Sequence, residues 1–339
     1  MKRGCVIGYD INEKGCQISY YDDSMEEPDT MMASSNNYLI PLVLGYFKDR
    51  WVFGKEAKRL AVVGEDCTET DLYGKAKRRE KVSLAGKTYD AVWLLAKYIS
   101  LTLQDFENIQ YLTFTTPETD VDMAKMLKGI GQHIGVDKEI INVQDYKESF
   151  CQYMIFQPKE LWQYESALFY CDEDRIKAYM LRRLRVDASH GMNSFVTVDE
   201  VANAQRKELE ALYPIMNKEK SPDESFKSMI ENVFEKKVIS SVYLTGEGFE
   251  KNWYPNSLRV LCNGRRAFMG NNLYSKGACY KSIRKCEPND DGPIYLDETK
   301  LTERICLRMR VDGQEGWYPL VTWGTHWYEA DGQWEVLLE

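Results

Sequence analysis

The fold is decided near the N-terminus by the stretch Cys5-Val6-Ile7-Gly8-Tyr9-Asp10-Ile11-Asn12-Glu13-Lys14-Gly15-Cys16-Gln17-Ile18-Ser19. It reads as an apolar strand that ends in an aspartate, a short turn and a second strand, which predicts a β-hairpin. A hairpin of this layout suits the binding of a phosphate by backbone amides. Glu13, however, places an anion in the turn where the phosphate would have to sit. The stretch therefore predicts the shape of a phosphate-binding hairpin and leaves its chemistry open.

Length and composition restrict the classes of protein to consider. A chain of 339 residues is long enough for two domains or one large bilobed domain. The net charge of −9 argues against nucleic acid or an anionic membrane as a partner. No secretory signal is visible, and the longest apolar stretch, Leu39 to Phe47, is too short to span a bilayer. We expect a cytoplasmic protein that binds neither nucleic acid nor a membrane.

The cysteines and histidines argue against a disulfide framework and against zinc. The nine cysteines are odd in number, scattered and without a Cys-x-x-Cys pair, so most are interpreted as reduced thiols in or near the core. The three histidines, His133, His190 and His326, are far apart in the sequence, which disfavours a zinc site.

Hydrophobic periodicity predicts alternating strands and helices in the first half of the chain. Hairpins are expected over residues 4–11 with 15–21 and 38–47 with 50–53, helices over 89–106, 120–134 and 145–156, and strands over 111–115 and 139–143.

The second half is expected to repeat this plan. Strands are predicted over 164–171, 175–187, 238–245 and 258–262, and helices over 198–212 and 271–284. Ser221-Pro222-Asp223-Glu224 is a capping box with proline at the first helical position, so a further helix begins there.

The C-terminal region is predicted to be a small β-rich appendage. Residues 287–293 form a breaker run typical of a linker. Asp312-Gly313 and Asp331-Gly332 predict hairpin turns beyond it. Trp317, Trp323, Trp327 and Trp334 are interpreted as core residues of this appendage, with a carbohydrate-stacking face as the alternative. Because the chain stops without a polar tail, we expect the natural protein to continue past Glu339.

The order of elements resembles the superfamily of actin, sugar kinases and heat-shock-chaperone ATPases. Several stretches are most similar to the seventy-kilodalton heat-shock chaperones: Ile40-Pro41-Leu42-Val43-Leu44, Phe53-Gly54-Lys55-Glu56-Ala57-Lys58, Phe114-Thr115-Thr116-Pro117, Gln144-Asp145-Tyr146, Val242-Tyr243-Leu244-Thr245-Gly246-Glu247-Gly248 and Asn272-Leu273-Tyr274-Ser275-Lys276-Gly277-Ala278. The resemblance covers residues 4–285 and points to a divergent bacterial branch. It implies an α/β fold, the bilobed actin-like ATPase (ribonuclease-H-like) fold, duplicated, with lobe I over 1–157, lobe II over 158–286 and the β-rich appendage over 294–339.

In such a fold two glycine-rich hairpins hold the phosphates of a nucleotide. The resemblance places Asp10 at the aspartate that acts on magnesium, and Asn12 and Lys14 at the first phosphate turn. Glu13 would repel a phosphate at about 4 Å by roughly 1 kcal/mol in water and by ~4 kcal/mol at a half-buried site. The second turn lacks glycine and carries three carboxylates, Asp172-Glu173-Asp174. It is interpreted as a solvated acidic turn, with a metal site built on Asp172 and Asp174 as the alternative.

Three further positions follow from the resemblance. Asp145 stands where the chaperones place a glutamate near the attacking water, which makes it the candidate catalytic residue. Lys77, or Lys75, lies near the position of the lysine that reaches the phosphates in the chaperones. The basic run that contains both lysines, residues 75–79, could instead be a surface loop. Gly246 and Gly248 correspond to the adenosine motif, although the pair could be an ordinary turn after a strand.

Both altered phosphate turns favour a noncatalytic or weakly catalytic module that binds nucleotide or a protein partner. The cofactor expected, if any, is ATP or ADP with magnesium. The alternatives are an active chaperone-like ATPase with rebuilt phosphate loops, whose tail binds client peptides by strand addition, and a polymerising scaffold protein.

Overall fold

The structure, a computed structural model, describes residues 4–34, 37–63, 67–184, 194–205, 221–287, 292–311 and 313–330. It is a mixed α/β protein with two compact units. The first unit contains Met1–Gln157 and Met269–Asp290, and the second contains Pro158–Phe268 and Asp291–Glu339. The predicted helix over 271–284, which the resemblance assigns to lobe II, lies in the second segment of the first unit.

The first unit is built on a six-stranded sheet. Its strands are β1 (Cys5–Ile11), β2 (Gly15–Tyr21), β3 (Asp29–Thr30), β4 (Ile40–Pro41), β10 (Ile109–Thr116) and β11 (Ile141–Asp145). The strand order is β11-β10-β1-β2-β3, with β4 also paired to β2. β1 is antiparallel to β2 and parallel to β10, and β10 is parallel to β11. The opening stretch therefore forms the hairpin that its sequence predicts, at the centre of this sheet.

Smaller sheets and five helices complete the N-terminal part of this unit. The strands are β5 (Leu44–Phe47), β6 (Arg50–Phe53), β7 (Thr68–Glu69), β8 (Lys81–Leu84) and β9 (Lys87–Asp90). The helices are α1 (Gly54–Val63), α2 (Leu72–Lys77), α3 (Ala91–Thr102), α4 (Val121–His133) and α5 (Tyr146–Ile155). The elements from α1 to β9 were not predicted, because they are too short for a clear periodic pattern.

The helices α3, α4 and α5 begin where the sequence places an aspartate. Asp90, Asp120 and Asp145 each accept hydrogen bonds from backbone amides in the first turn of the following helix. These bonds satisfy amides that have no partner within the helix, which stabilises its N-terminus. The predictions for these three helices are confirmed, with ends that differ by a few residues.

The second unit repeats the sheet plan of the first. Its strands are β12 (Glu165–Cys171), β13 (Arg175–Leu184), β14 (Phe195–Gln205), β15 (Ile239–Thr245), β16 (Arg266–Met269) and β17 (Ile294–Tyr295), in the order β16-β15-β12-β13-β14-β17. β12 is antiparallel to β13 and parallel to β15. In both sheets two later strands lie on one side of the first strand, and the second and third strands follow in order on its other side.

Two described helices of this unit are α6 (Pro222–Phe234) and α7 (Pro255–Leu261). The next described helix, α8 (Leu273–Cys286), belongs to the first unit. Ser221 accepts a hydrogen bond from the amide of Glu224, so the predicted capping box starts α6. The core of the second unit lies where α6 packs on the sheet, with Phe226 fully buried against Phe169 and Phe249.

Two predictions in the second unit are wrong. The predicted helix over 198–212 is strand β14 as far as Gln205, and residues 206–212 lie outside the described part. Its many charged residues resemble a solvated helix, but β14 pairs with β13 along the whole length of that strand, from Phe195 opposite Leu184 to Gln205 opposite Arg175. The predicted strand over 258–262 is helix α7, and the sheet takes its next strand from β16 instead.

The C-terminal region forms one described hairpin, β18 (Ile305–Val311) with β19 (Gln314–Val321). The predicted turn falls between these strands, with Gly313 among the described residues and Asp312 outside them. Asp331-Gly332 and Trp334 lie outside the described residues, as does most of the linker predicted over 287–293. Trp317 and Trp327 have 69% and 54% of their surface exposed, so these two tryptophans do not fill a core. Trp323 is half-buried and contacts Phe195 edge-on.

Candidate functional site

The first candidate phosphate turn, Asn12 to Gly15, is closed by its own side chain. Oδ1 of Asn12 accepts hydrogen bonds from the amides of Lys14 and Gly15, at 2.9 and 3.3 Å. The amide of Asn12 in turn donates to the carbonyl of Gly15 at 3.0 Å. This arrangement is an Asx turn, in which a side chain takes the place of a backbone acceptor. The amides that a phosphate would need are therefore already engaged inside the turn.

The second candidate turn, Asp172 to Arg175, has the same hydrogen bonds. Oδ1 of Asp172 accepts from the amides of Asp174 and Arg175, both at 2.8 Å. The amide of Asp172 donates to the carbonyl of Arg175 at 3.1 Å. The two turns join the first and second strands of their respective sheets. Equivalent positions of the two units are thus closed in the same way by an Asn in one and an Asp in the other.

Asp10 lies at the end of β1 and is held by a tyrosine. The hydroxyl of Tyr146 donates to Oδ1 of Asp10 at 2.8 Å and accepts from Nδ2 of Asn12 at 3.0 Å. Tyr146 is stacked on Tyr274 of α8, with ring centroids 3.7 Å apart and planes inclined by 7°. The side chains of Asp10, Tyr146 and Tyr274 are buried. The carboxyl of Asp10 is therefore shielded from bulk solvent beside a pair of stacked aromatic rings.

Burial changes the chemistry of Asp10. Only 3% of the residue is exposed, and loss of water around the carboxyl raises its pKa to about 7, although the hydrogen bond from Tyr146 works in the opposite direction. A hard cation such as magnesium is bound by ionised carboxylates that share it with water molecules. Binding of such an ion by Asp10 near neutral pH would therefore be coupled to release of the proton from its carboxyl.

The candidate phosphate ligands of positive charge lie at the surface. Lys14 and the neighbouring Glu13 are exposed at the tip of the first turn. Lys77 is the exposed last residue of α2, whereas Lys75 forms an ion pair with Glu69 at 2.8 Å. The basic run is thus the end of a helix. The same helix carries Tyr73, which is buried near Asp10 and Glu13, and burial raises the pKa of its hydroxyl.

Asp145, the candidate catalytic residue, caps helix α5. One carboxylate oxygen accepts a hydrogen bond from the amide of Glu148 at 2.8 Å, and the other lies 3.9 Å from Nζ of Lys147. The side chain is largely buried, with 18% exposed. These contacts give Asp145 a structural task, and its proposed role with water stays a prediction.

Gly246 and Gly248 lie against the end of β12. A Cβ on Gly246 would come within 2.2 Å of the carbonyl oxygen of Cys171, and one on Gly248 within 2.3 Å of its sulfur. Gly246 also has φ of 100°, in the region that favours glycine. The close approach of this loop to Cys171 by itself requires both glycines. Their assignment to adenosine stays a prediction.

Magnesium ligation by Asp10 and Asp172 also stays a prediction. Across the described ranges, no group of three or more His, Cys, Asp or Glu side chains is placed to hold a metal ion. In the same ranges, no helix is both long enough and apolar enough to cross a membrane. All nine cysteines are free thiols, and Cys16, Cys67, Cys151, Cys171 and Cys279 are buried.

Sequence reasoning missed the tyrosines that define the surroundings of Asp10. Tyr146 directly follows the candidate Asp145, and Tyr274 lies in the segment that resembles the closing helix of the chaperones. Nothing in the spacing of Tyr73, Tyr146 and Tyr274 along the chain indicates that they lie near one carboxyl. Tyr146 donates to Asp10, Tyr274 stacks on Tyr146, and burial together with the negative charge of Asp10 raises the pKa of Tyr73.

Comparison with known families leaves the activity open. Residues 27–298 match a family of unknown function, the C-terminal part of DUF5716. Residues 300–339, which contain hairpin β18-β19, match a domain of unknown function, DUF8552. No curated protein matches the chain.

Proposed function

The chain belongs to the DUF5716 family of unknown function, and on that premise we propose a noncatalytic protein-interaction module with a duplicated actin-like fold. In this proposal the two units descend from the nucleotide-binding plan of the actin and heat-shock-chaperone superfamily. The protein binds ATP or ADP with magnesium weakly or not at all, and it does not hydrolyse them.

The repeated sheet supports the actin-like part of the proposal. Each unit contains a hairpin, a third antiparallel strand on one side of it and two later strands on the other. The resemblance implies a duplicated plan of this kind. The stretches that resemble the chaperones lie within or next to the strands and helices of these two units. Fold alone does not establish an activity, so the function depends on the site.

The closure of both candidate phosphate turns is the main support for the proposed absence of ATP hydrolysis. Asn12 and Asp172 each bind two amides of their own turn, and neither turn presents the bare glycine backbone that approaches a phosphate. Opening either turn would cost these hydrogen bonds, each worth about 1 kcal/mol. The carboxylates of Glu13, Glu173 and Asp174 would add repulsion.

The active chaperone-like ATPase is less well supported, because one oxygen of Asp145 already caps helix α5, which gives this carboxylate a structural role. The proposed module acts on a protein partner in the cytoplasm, a setting that suits nine free thiols.

Calorimetric titration with Mg-ATP and Mg-ADP up to millimolar concentration, combined with an assay of phosphate release, tests this function. We expect no phosphate release above that of a blank without protein, whether or not weak binding is detected. The matched variants Asp10→Asn and Asp145→Asn should behave as the unmodified chain does.

Phosphate release that both variants abolish would overturn the proposal and favour the ATPase. Light scattering that rises with protein concentration, in the absence of nucleotide, would instead favour a polymerising scaffold.

A further inference from the structure

A pocket of about 370 Å³ opens in the second unit, lined by Glu160, Leu161, Ser240, Gly264, Arg265 and Arg266. Its size falls within the range of small-molecule sites, which is about 300–1,000 Å³. The lining residues come from the segment before β12, the start of β15 and the turn between α7 and β16. The pocket therefore combines three segments of one folded unit.

The pocket lies where strands β12 and β15 begin, whereas the Asp172 turn lies where β12 ends. β12 and β15 are parallel, so the segments before them meet at one edge and those after them at the other. Leu161 and Ser240 precede or open these strands, whereas Asp172 and Gly246 follow them. A ligand in this pocket would be independent of the candidate nucleotide site.

Arg265 is a cation without a balancing anion. Its guanidinium lies over the ring of Phe234, 4.5 Å from the centroid, and among the described residues none forms an ion pair with it. Nη1 is shielded from solvent and has no hydrogen-bond partner in the described part of the chain. A shielded donor on a charged group is costly unless an acceptor is supplied. The stacked, pre-oriented guanidinium is the geometry that proteins use to bind carboxylate or phosphate.

Two further polar groups line the same pocket. Arg266 is largely exposed, and its Nη1 lies 4.0 Å from a carboxylate oxygen of Glu160, a separation too long for a strong ion pair. The hydroxyl of Ser240 accepts a hydrogen bond from the amide of Tyr164 at 3.0 Å, so its own proton can be donated elsewhere. The lining thus offers two guanidinium groups and one hydroxyl against one carboxylate.

The loops that carry these groups are firmly placed. The carbonyl of Leu161 accepts hydrogen bonds from the hydroxyls of Ser166 and Ser241, at 2.8 and 2.6 Å. Gly264 has φ of 70° and no atom within 4 Å of the position of a Cβ, so the backbone beside Arg265 faces open space. A ligand can approach the backbone there freely, and a small shift of the Arg265 side chain would bring its shielded Nη1 into contact with that ligand.

We propose that this pocket binds a small ligand through an oxyanion group, a phosphate or a carboxylate, held by Arg265 and Arg266 with Ser240 as a further donor. Glu160 limits the affinity for a simple anion, because its charge has the same sign as the ligand. The site goes beyond the proposed function and stands on different residues.

Titration of the full chain with sodium phosphate and, separately, sodium acetate tests the proposal. The signals of the arginine Nε–H groups are followed by NMR at constant ionic strength, with chloride as the balancing anion. Saturable shifts of the Arg265 signal are expected. A response to phosphate alone, to acetate alone or to both would support the site and identify the type of oxyanion.

Four variants assign the effect to the pocket. Arg266→Gln and Arg265→Lys should each weaken binding about tenfold, the latter because an ammonium lacks the planar fork of donors. Glu160→Gln should strengthen binding about two- to threefold by removing a like charge. Arg259→Gln, an exposed arginine of α7 outside the pocket lining, is the matched control and should leave binding unchanged.

If Arg265→Lys fails to fold, the opposite effects of Arg266→Gln and Glu160→Gln still decide the question. The proposal is overturned if neither phosphate nor acetate saturates beyond chloride, or if binding persists unchanged in Arg266→Gln and Glu160→Gln. Neither result would bear on the assay of phosphate release from ATP, which tests the residues of the candidate nucleotide site.

Discussion

At the scale of single residues, Asp10 shows how burial can change the chemistry of a carboxyl group. Its position after an apolar strand resembles that of the metal-binding aspartate in the chaperone ATPases. In the fold its carboxyl is enclosed by Tyr146 and by the strand ends, and its pKa rises to about 7. The same carboxyl therefore exists largely as a neutral acid below that pH.

This raised pKa predicts a pH-dependent penalty on stability. In the unfolded chain Asp10 ionises near pH 4, whereas in the folded chain it retains its proton up to about pH 7. The folded state binds more protons in this interval, so the stability linked to Asp10 is complete below pH 4 and is lost as pH rises to about 7. The full loss is up to about 4 kcal/mol.

Asp10→Asn should remove this penalty and keep an acceptor for Tyr146. Denaturant unfolding at pH 4.5 and pH 8 is the measurement. We expect the free energy of unfolding of the variant, relative to the unmodified chain, to be higher at pH 8 than at pH 4.5. An equal difference at the two pH values would show that Asp10 ionises normally in the folded protein. Asp145→Asn, at the cap of α5, serves as a control for loss of a carboxylate elsewhere.

At the scale of elements, helix α8 is the one whose packing depends most on small residues. A Cβ on Gly8 of β1 would lie 2.2 Å from the amide nitrogen of Cys279, and one on Gly277 would lie 2.0 Å from the carbonyl of Ser149 in α5. Hydroxyl pairs such as Ser19 with Ser275, at 2.8 Å, and Thr113 with Ser282, at 2.7 Å, join the helix to the sheet. The backbone of α8 therefore lies directly against its neighbours.

Gly277→Ala should accordingly destabilise the protein, although alanine is the better helix former. The added methyl meets backbone rather than a mobile side chain, so we expect a loss of about 3 kcal/mol in the free energy of unfolding. Gly129→Ala, in the exposed part of α4 with no atom within 4 Å of its Cβ position, is the matched control. It should stabilise the protein by about 0.5 to 1 kcal/mol. Equal effects of the two changes in urea unfolding would contradict this packing.

At the scale of the whole molecule, the first unit is discontinuous in sequence. Its sheet is formed by residues before Gln157, but α8 belongs to a segment of this unit that follows Pro158–Phe268 of the second unit in the sequence. The helix contacts β1, β2 and β10 as well as α5, and Lys281 forms an ion pair with the buried Glu148 at 2.8 Å. Folding of the first unit thus requires a segment that is made more than a hundred residues later.

A fragment of residues 1–157 should for this reason lack a cooperative unfolding transition. The face of β1 that α8 covers would be exposed, and Glu148 would lose its partner. Addition of a peptide of residues 269–287 should restore cooperative thermal unfolding, followed by circular dichroism. A peptide with Gly277→Val is the control and should not restore it. Cooperative unfolding of the fragment alone would show that α8 is dispensable.

The sequence by itself determined the α/β class, the central hairpin and the starts of α3, α4, α5 and α6. These features depend on local physics: apolar alternation, and Asp or Ser side chains that cap helix amides within three residues. The resemblance also selected Asp10 and Asn12 as neighbours of one turn, and both lie there.

Only the tertiary structure decided what depends on distant partners. Residues 198–205 are a strand because β13 offers a complete edge for pairing, which outweighs their helix-like charge pattern. The pKa of Asp10 is set by burial beneath residues far away in the sequence, such as Tyr146. The pocket at Arg265 is lined by segments about a hundred residues apart in the sequence. Contacts between such distant segments produce no periodic pattern from which the pocket could be predicted.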